Sequence, residues 1–241
     1  MLRGDDVAEL QQRLCTLGFD TGRVDGIFGD VTVRALGEFQ RNAGLPVDGI
    51  VGGATLRELL RLENRHQIQE LVSSVRERAA LRDAPHTLRG RHVAVGESGG
   101  LGTVTGALRR RLTLGGTQVT ELHHPDDAVQ AKEANELDVD VFVGLRLNVS
   151  TPACRTAFWA VTHDESAGGR RLAELVQGTV PGALGIADAG VHGMSLPLLR
   201  ETRMPAVLVE VGPASTVVER TPALVAALSA ALGRWADASW E

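Results

Sequence analysis

The sequence predicts an α/β domain, a mostly parallel sheet with helices on both faces, preceded by a small three-helix unit. Three observations carry this reading. Strand and helix signals alternate from residue 91 to 241, the pattern of a parallel sheet with crossover helices. A hexapeptide recurs 23 residues on, as Val24-Asp25-Gly26-Ile27-Phe28-Gly29 and Val47-Asp48-Gly49-Ile50-Val51-Gly52. The stretch Pro205-Ala206-Val207-Leu208-Val209-Glu210-Val211-Gly212 is a short, β-branched apolar run between proline and glycine, which reads as a fully buried strand. Glu210 stands near its C-terminal end, where the strand ends of an α/β sheet open onto a crevice.

Composition narrows the classes. The 241 residues are 43% hydrophobic, enough for a substantial core. Aromatics make up 3% with no tyrosine, which argues against a base-stacking or sugar-stacking surface. Net charge is −5 without a long basic run, so nucleic acid is not an expected partner. Cys15 and Cys154 lie far apart and read as two buried, reduced thiols. No stretch approaches a membrane span, and the opening Met-Leu-Arg-Gly-Asp-Asp lacks an apolar leader, so the expected location is the cytoplasm.

The small unit is expected over residues 1–62. Val7, Leu10, Leu14 and Leu17 follow at helical spacing after Asp5 and Asp6, either of which can cap, and Gly18 ends the helix. Each Asp-Gly of the repeat makes a tight turn, because glycine accepts positive φ. Thr32 and Thr55 are expected to cap the helices after the two turns, Thr55 in a capping box with Glu58. Val33, Leu36, Phe39 and Gln40 line the middle helix. Residues 63–90 read as a helical linker: Arg61 to Leu81 carries Ile68, Leu71, Val72 and Val75 on one face and breaks at Asp83-Ala84-Pro85.

In the large domain, 91–241, strands are expected at 92–97, 118–122, 140–147, 157–162 and 206–212, and helices at 103–114, 126–137, 166–177 and 222–235. The closing helix carries Leu224, Val225, Leu228, Leu232 and Trp235 as its packed face.

Leu10-Gln11, Leu17-Gly18-Phe19, the Val-Asp-Gly-Ile repeat and Phe39-Gln40 occur in an order that resembles the peptidoglycan-binding domain type 1 family. The resemblance places a ligand groove near Asp25, Gly26, Phe28 and Gly29 and the helix with Phe39 and Gln40. The segments Met204–Gly212 and Ala134–Asn148, with Gly99-Gly100, resemble the zinc-dependent N-acetylmuramoyl-L-alanine amidases of the amidase type 3 family. That resemblance implies zinc held by a histidine before the double glycine, a glutamate opening the next helix and a histidine on a later strand. Zinc would polarise the amide carbonyl and its water while the strand glutamate moves the proton.

The departures are specific. Ser98 stands where the first histidine belongs, and Arg146 where the second does. No Asp or Glu occurs from Ser98 to Thr120, so the glutamate ligand is unmatched. Only Glu210 is retained. Arg146 offers no lone pair to a metal and is expected to supply the missing positive charge and pair with Glu210. His123-His124-Pro125-Asp126, Glu97, His163 and His192 are weaker metal candidates, and Ser98 lacks an obvious base.

The expectation is a catalytically inactive pseudo-amidase without zinc or other cofactor, in which Glu210 is a remnant. Its domain order resembles the actinobacterial CwlM-type family, which implies regulation of peptidoglycan precursor synthesis by binding the MurA-type enolpyruvyl transferase. A working amidase using unorthodox ligands such as Glu97, His123 or His163 is one alternative. A non-hydrolytic muropeptide sensor, with Arg146 holding a stem-peptide carboxylate, is the other.

Overall fold

The computed structural model describes residues 2–17, 19–148, 151–161 and 164–240, with only the backbone described at Leu2 and through 63–75. The expectations placed on Gly18, Thr162, His163 and the side chains of Ile68, Leu71, Val72 and Val75 lie outside the described residues. The chain divides into two units, Met1–Val72 and Ser73–Glu241.

The first unit holds β1 (Leu2–Arg3), α1 (Asp5–Thr16), β2 (Ile27–Phe28), α2 (Asp30–Asn42) and the beginning of α3 (Gly53–Asp83). The helical stretch expected after residue 62 continues the last helix of the small unit, and α3 runs unbroken because no Gly or Pro interrupts residues 54–83. Leu10, Leu14, Ala35, Leu36, Phe39 and Leu59 form the core, and Phe19 meets Phe39 edge-on at 5.6 Å between ring centroids.

The hexapeptide repeat is held by two buried glutamines, each repeating the same bonds. Gln11 Nε2 donates to Asp25 Oδ1 (3.2 Å), Ile27 O (3.1 Å) and Thr32 Oγ1 (3.1 Å), while its Oε1 accepts from Gly26 N–H at 2.9 Å. Gln40 Nε2 donates to Asp48 Oδ1 (2.8 Å), Ile50 O (3.0 Å) and Thr55 Oγ1 (3.3 Å), and its Oε1 accepts from Gly49 N–H at 3.0 Å. The expected caps therefore differ. Gly4 occupies the N-cap of α1 without a side-chain bond, and Asp5 and Asp6 lie in its first turn. Thr32 and Thr55 sit inside α2 and α3, where each hydroxyl donates to the turn carbonyl of Ile27 or Ile50; the glutamine bonds claim them. Each turn carboxylate is held below the usual range by the N–H of Ile27 or Ile50 and by its glutamine.

The second unit continues with β3 (His92–Glu97), α4 (Gly102–Leu114), β4 (Gln118–His123), α5 (Asp127–Glu136), β5 (Val141–Leu147), β6 (Ala153–Val161), β7 (Asp164–Glu165), α6 (Ala167–Gln177), α7 (Val180–Leu184), β8 (Ala187–Met194), α8 (Pro197–Glu201), β9 (Ala206–Val211), α9 (Ala214–Glu219) and α10 (Thr221–Ala236). The sheet runs β4-β3-β5-β9-β6, with β7 and β8 both paired to β6. The first four strands are parallel; β6 runs antiparallel to β9, and β8 parallel to β6.

Side chains alternate between two cores, as the two-residue period of a strand requires. Val93, Val95, Val141, Val143, Leu145, Val207 and Val209 pack with α4, α6 and α10. Ala94, Phe142, Ala206 and Leu208 face the other way, with Ala134 of α5 and Leu198 of α8. The Phe142 ring lies across Gly96 and Gly144: a Cβ at Gly96 would sit 2.6 Å from Phe142 Cζ, and one at Gly144 3.1 Å from its Cε1. The central sheet is flat there for lack of side chains, so an aromatic ring can fill the layer.

The end of α3 is built into this unit. The Glu77 carboxylate accepts from Ser166 Oγ at 2.8 Å and Gly168 N–H at 2.8 Å, at the start of α6, where the helix dipole favours an anion. Burial nevertheless pushes its carboxyl above the ordinary range. A raised pKa means the fold prefers the protonated form, so stability from this group is present at low pH and lost as pH rises through the folded pKa. Glu77→Gln keeps the acceptor and removes the charge. It is expected to gain on the order of 1 kcal/mol in mildly alkaline buffer and little in acid, read from urea midpoints in each. An equal midpoint shift in both would show that charge is not what costs stability there.

Candidate functional site

At the C-terminal edge of the sheet, three strands bring three charges side by side. Arg146 of β5 lies opposite Glu210 of β9, and Glu210 lies opposite Arg155 of β6. Side chains opposite one another on adjacent strands are about 5 Å apart at Cβ. They share the face of Phe142 and Leu208, which α5 covers, and Asp127 enters from the first turn of that helix. Asp126 caps the helix by accepting from Ala128 N–H at 2.8 Å, which fixes the turn that aims Asp127.

The four groups form an alternating chain of charge. Arg146 Nη2 donates to both oxygens of Asp127, at 2.9 and 2.7 Å. Arg146 Nη1 stands 3.5 Å from Glu210 Oε1. Arg155 donates from Nε to Glu210 Oε2 at 2.7 Å and pairs with it again through Nη2. The two carboxylates are 17% exposed, and the guanidiniums 32% for Arg146 and 44% for Arg155. Each carboxylate is thus drawn out of water and answered by a planar cation.

These residues do not fit zinc. A zinc ion needs deprotonated donors with free lone pairs, and here both carboxylates are already spent on guanidiniums. Ser98 follows β3, and among the described residues no three His, Cys, Asp or Glu side chains gather as a metal cage. Two unit charges 4 Å apart repel by about 4 kcal/mol at an effective dielectric of 20, and a divalent ion about doubles that. Arg146 therefore opposes a metal as well as failing to bind it.

Glu97 points to the opposite face, sharing the side of Val93 and Val95. Its Oε2 accepts from Gly99 N–H at 2.7 Å and Leu101 N–H at 3.0 Å, and Oε1 lies 3.0 Å from His123 Nδ1. Burial pushes this carboxyl up, but the Leu101 N–H, His123 and the Gly99 N–H outweigh it and hold it below the usual range. His123 Nε2 lies 3.6 Å from Glu121 Oε2, and Glu121 also accepts from Thr105 Oγ1 at 2.8 Å. His123 and His124 take different partners: His124 Nδ1 accepts from Asp126 N–H at 3.0 Å. His192 is exposed and lies against Ala189 O at 2.8 Å.

In the small unit the candidate binding residues separate by burial. Phe39 and Gln40 are 1% and 0% exposed and serve the core and the second turn. Gly26 is buried beneath Gly4, Phe28 and Gly29 are half-buried, and Asp25 is exposed. Both cysteines are free; Cys154 is buried, and burial pushes its thiol up to about 12.

Arg155 and Asp127 escaped the sequence reading. A strand expected to begin at 157 leaves Arg155 out of register with Glu210, and Asp127 looked like part of a helix start. The one available signal was the pair Asp126-Asp127, more acid than a cap needs.

Comparisons with known proteins agree with the two-unit architecture. The peptidoglycan-binding domain family matches residues 3–59, and the N-acetylmuramoyl-L-alanine amidase family matches residues 101–221, half of the chain. The chain is 34% identical over 241 aligned residues to the N-acetylmuramoyl-L-alanine amidase CwlM of Mycobacterium tuberculosis, an alignment covering 88% of this chain and 59% of that protein. The chain thus spans about six tenths of that relative's length. Its first unit is 53% identical over 58 residues to a spore cortex-lytic enzyme of Bacillus cereus, 24% of this chain and 22% of that protein. Among solved structures, the catalytic domain of the amidase CwlV from Bacillus (Paenibacillus) polymyxa var. colistinus aligns with TM-score 0.49 and 18% identity, covering 58% of this chain and 96% of that chain. The amidase Ami1 of Mycobacterium abscessus aligns with TM-score 0.49 and 15% identity, covering 60% and 100%. An α/β sheet with crossover helices, behind a helical unit built on a doubled Asp-Gly turn, belongs to the N-acetylmuramoyl-L-alanine amidase family and carries a peptidoglycan-binding domain ahead of the amidase fold.

Proposed function

We propose that this protein is a pseudo-amidase: it keeps the amidase fold, holds no zinc, does not hydrolyse peptidoglycan, and acts by binding. The observation that carries this reading is the guanidinium of Arg146 lying between Asp127 and Glu210. Both oxygens of Glu210 face guanidinium groups, Oε1 that of Arg146 and Oε2 that of Arg155, so neither is open to a substrate. The proposed role is control of peptidoglycan precursor synthesis in the cytoplasm, through a protein partner of the MurA-type enolpyruvyl transferase class. That choice of pathway rests on what the resemblance of the domain order implies. Among the described residues no helix is long and apolar enough to cross a membrane.

The retained Glu210 and the amidase name of that relative favour hydrolysis as the competing reading. The two separate in one preparation. After exposure to zinc near neutral pH and removal of the excess, the purified chain is expected to keep far less than one zinc per molecule and to release no L-alanine-headed peptides from purified cell wall. It is expected to retain the enolpyruvyl transferase in a pull-down. Stoichiometric zinc with release of peptides would overturn the reading. Failure to retain the transferase would overturn the proposed partner alone.

A further inference from the structure

The repeat in the first unit is doubled in its turns but not in what pairs with them. At the first turn, β1 lies antiparallel on β2, with Leu2 opposite Phe28 and Arg3 opposite Ile27. Gly4 N–H donates to Gly26 O at 3.1 Å. The chain is packed so closely there that a Cβ on Gly26 would sit 2.9 Å from Gly4 O. At the second turn the backbone has the same form, with φ +67° at Gly49 against +70° at Gly26. Yet no described residue occupies the place that Gly4 takes: among the described residues a Cβ on Gly49 would meet only Val33 Cγ1, at 3.6 Å.

The cause is one helical turn of extra chain. Gly4 and Gly29 each precede a helix and accept from the residue four on, Ala8 N–H and Val33 N–H. From Gly4 to Gln11 is seven residues, but from Gly29 to Gln40 is eleven. Four residues lengthen a helix by about 6 Å. The segment Ile27–Phe28 that leads into α2 is thereby carried a turn away from the second loop, and it pairs with β1 instead. The second loop keeps a bare edge. Ile50 is 63% exposed, Val47 52% and Val51 38%, with Val33 at 41% as a side wall. Ile27 and Phe28, the counterparts of Ile50 and Val51, are half-buried beside β1, while Val24, the counterpart of Val47, is exposed like it. The backbone of Val51 and the carbonyl of Gly49 have no partner among the described residues.

We propose that the Gly49–Val51 edge is a docking site for an extended polypeptide segment of a partner protein, which adds as a short antiparallel strand in the way that Leu2-Arg3-Gly4 adds to the first turn. The occupant has an apolar residue, then a basic one, then glycine. The apolar side chain rests on Val51, the backbone pairs with Val51, and the glycine N–H donates to Gly49 O. The third residue is taken as glycine after Gly4; what the close approach demands is a glycine on the loop side, Gly49 here, since a Cβ on its counterpart Gly26 would sit 2.9 Å from Gly4 O. Addition of a strand to an open edge gives affinity through main-chain bonds and specificity through alternate side chains. The site does not depend on the amidase cleft or on the reading given for it.

The test uses the whole chain, labelled for amide NMR, and a capped synthetic peptide Met-Leu-Arg-Gly-Asp-Asp copied from the first turn. Saturable shifts at Ile50, Val51 and Gly52 are expected, with the Gln40 side-chain amide also moving. The same peptide N-methylated at its glycine is expected to bind at least tenfold more weakly, since it cannot donate to Gly49 O. This control leaves the protein untouched, so folding does not enter. The proposal fails if the peptide at millimolar concentration leaves residues 49–52 unmoved, or if the methylated peptide binds equally well. It also fails if a soluble peptidoglycan fragment moves those residues and the peptide does not, for the edge would then be a saccharide site.

Discussion

Gln40→Ala is expected to unfold the first unit while the second keeps its own transition. The side chain is fully buried and meets four partners: Asp48 Oδ1, Ile50 O, Thr55 Oγ1 and Gly49 N–H. Alanine strands the Gly49 N–H beside an emptied volume and takes one donor from Ile50 O, which keeps the Gly52 N–H. Each unsatisfied buried group costs roughly 1–3 kcal/mol, though Thr55 still donates to Ile50 O. The sum expected is roughly 3–4 kcal/mol, a large part of what a unit of some seventy residues has in total. The measurement is calorimetry of the full chain, where one transition should fall sharply and the other hold. Gln11→Ala should act alike, since the first turn repeats the bonds. A small, equal effect on both transitions would mean that the turns hold themselves through Asp-Gly geometry alone.

Legibility from sequence followed the period of the side chains. β3, β5 and β9 announce themselves as apolar β-branched runs because both of their faces are buried, and their boundaries match expectation within a residue. β8, Ala-Asp-Ala-Gly-Val-His-Gly-Met, has no such run; it pairs with β6 and leaves five of its eight residues exposed. Its two glycines read as loop. β6 was visible only from Ala157, since Cys154, Arg155 and Thr156 break the apolar pattern. The missing residues of that strand are where Arg155 meets Glu210, so a four-residue error in a strand start hid half of the charge chain. The substitutions at Ser98 and Arg146 were legible because they depart from a family pattern. The pairing of Arg146 with Glu210 followed from that departure; the bond to Asp127 did not, because an ion pair between β5 and the start of α5 is set by packing and leaves no periodic trace.

Arg146→His tests whether the charge chain excludes a metal or merely stands where one once sat. The change removes the cation, frees Asp127 and the Oε1 of Glu210, and supplies an imidazole at the position where the family resemblance implies a ligand. Asp127 loses both of its close bonds, while Glu210 keeps Arg155. Breaking a fully buried pair costs about 3–5 kcal/mol; with Arg146 one-third exposed, roughly 2 kcal/mol is expected here, read from urea denaturation. Zinc affinity should move the other way and rise at least tenfold over the parent chain, because repulsion by a guanidinium is exchanged for a lone pair. Zinc should then restore stability to Arg146→His and leave the parent unchanged, since a ligand stabilises only the state that binds it. A double change, Arg146→Met with Asp127→Asn, removes a cation and an anion together and should recover most of the lost stability without gaining zinc. If the parent binds zinc as tightly as Arg146→His, the guanidinium is no barrier, and the reading of this cleft as metal-free has lost its physical ground.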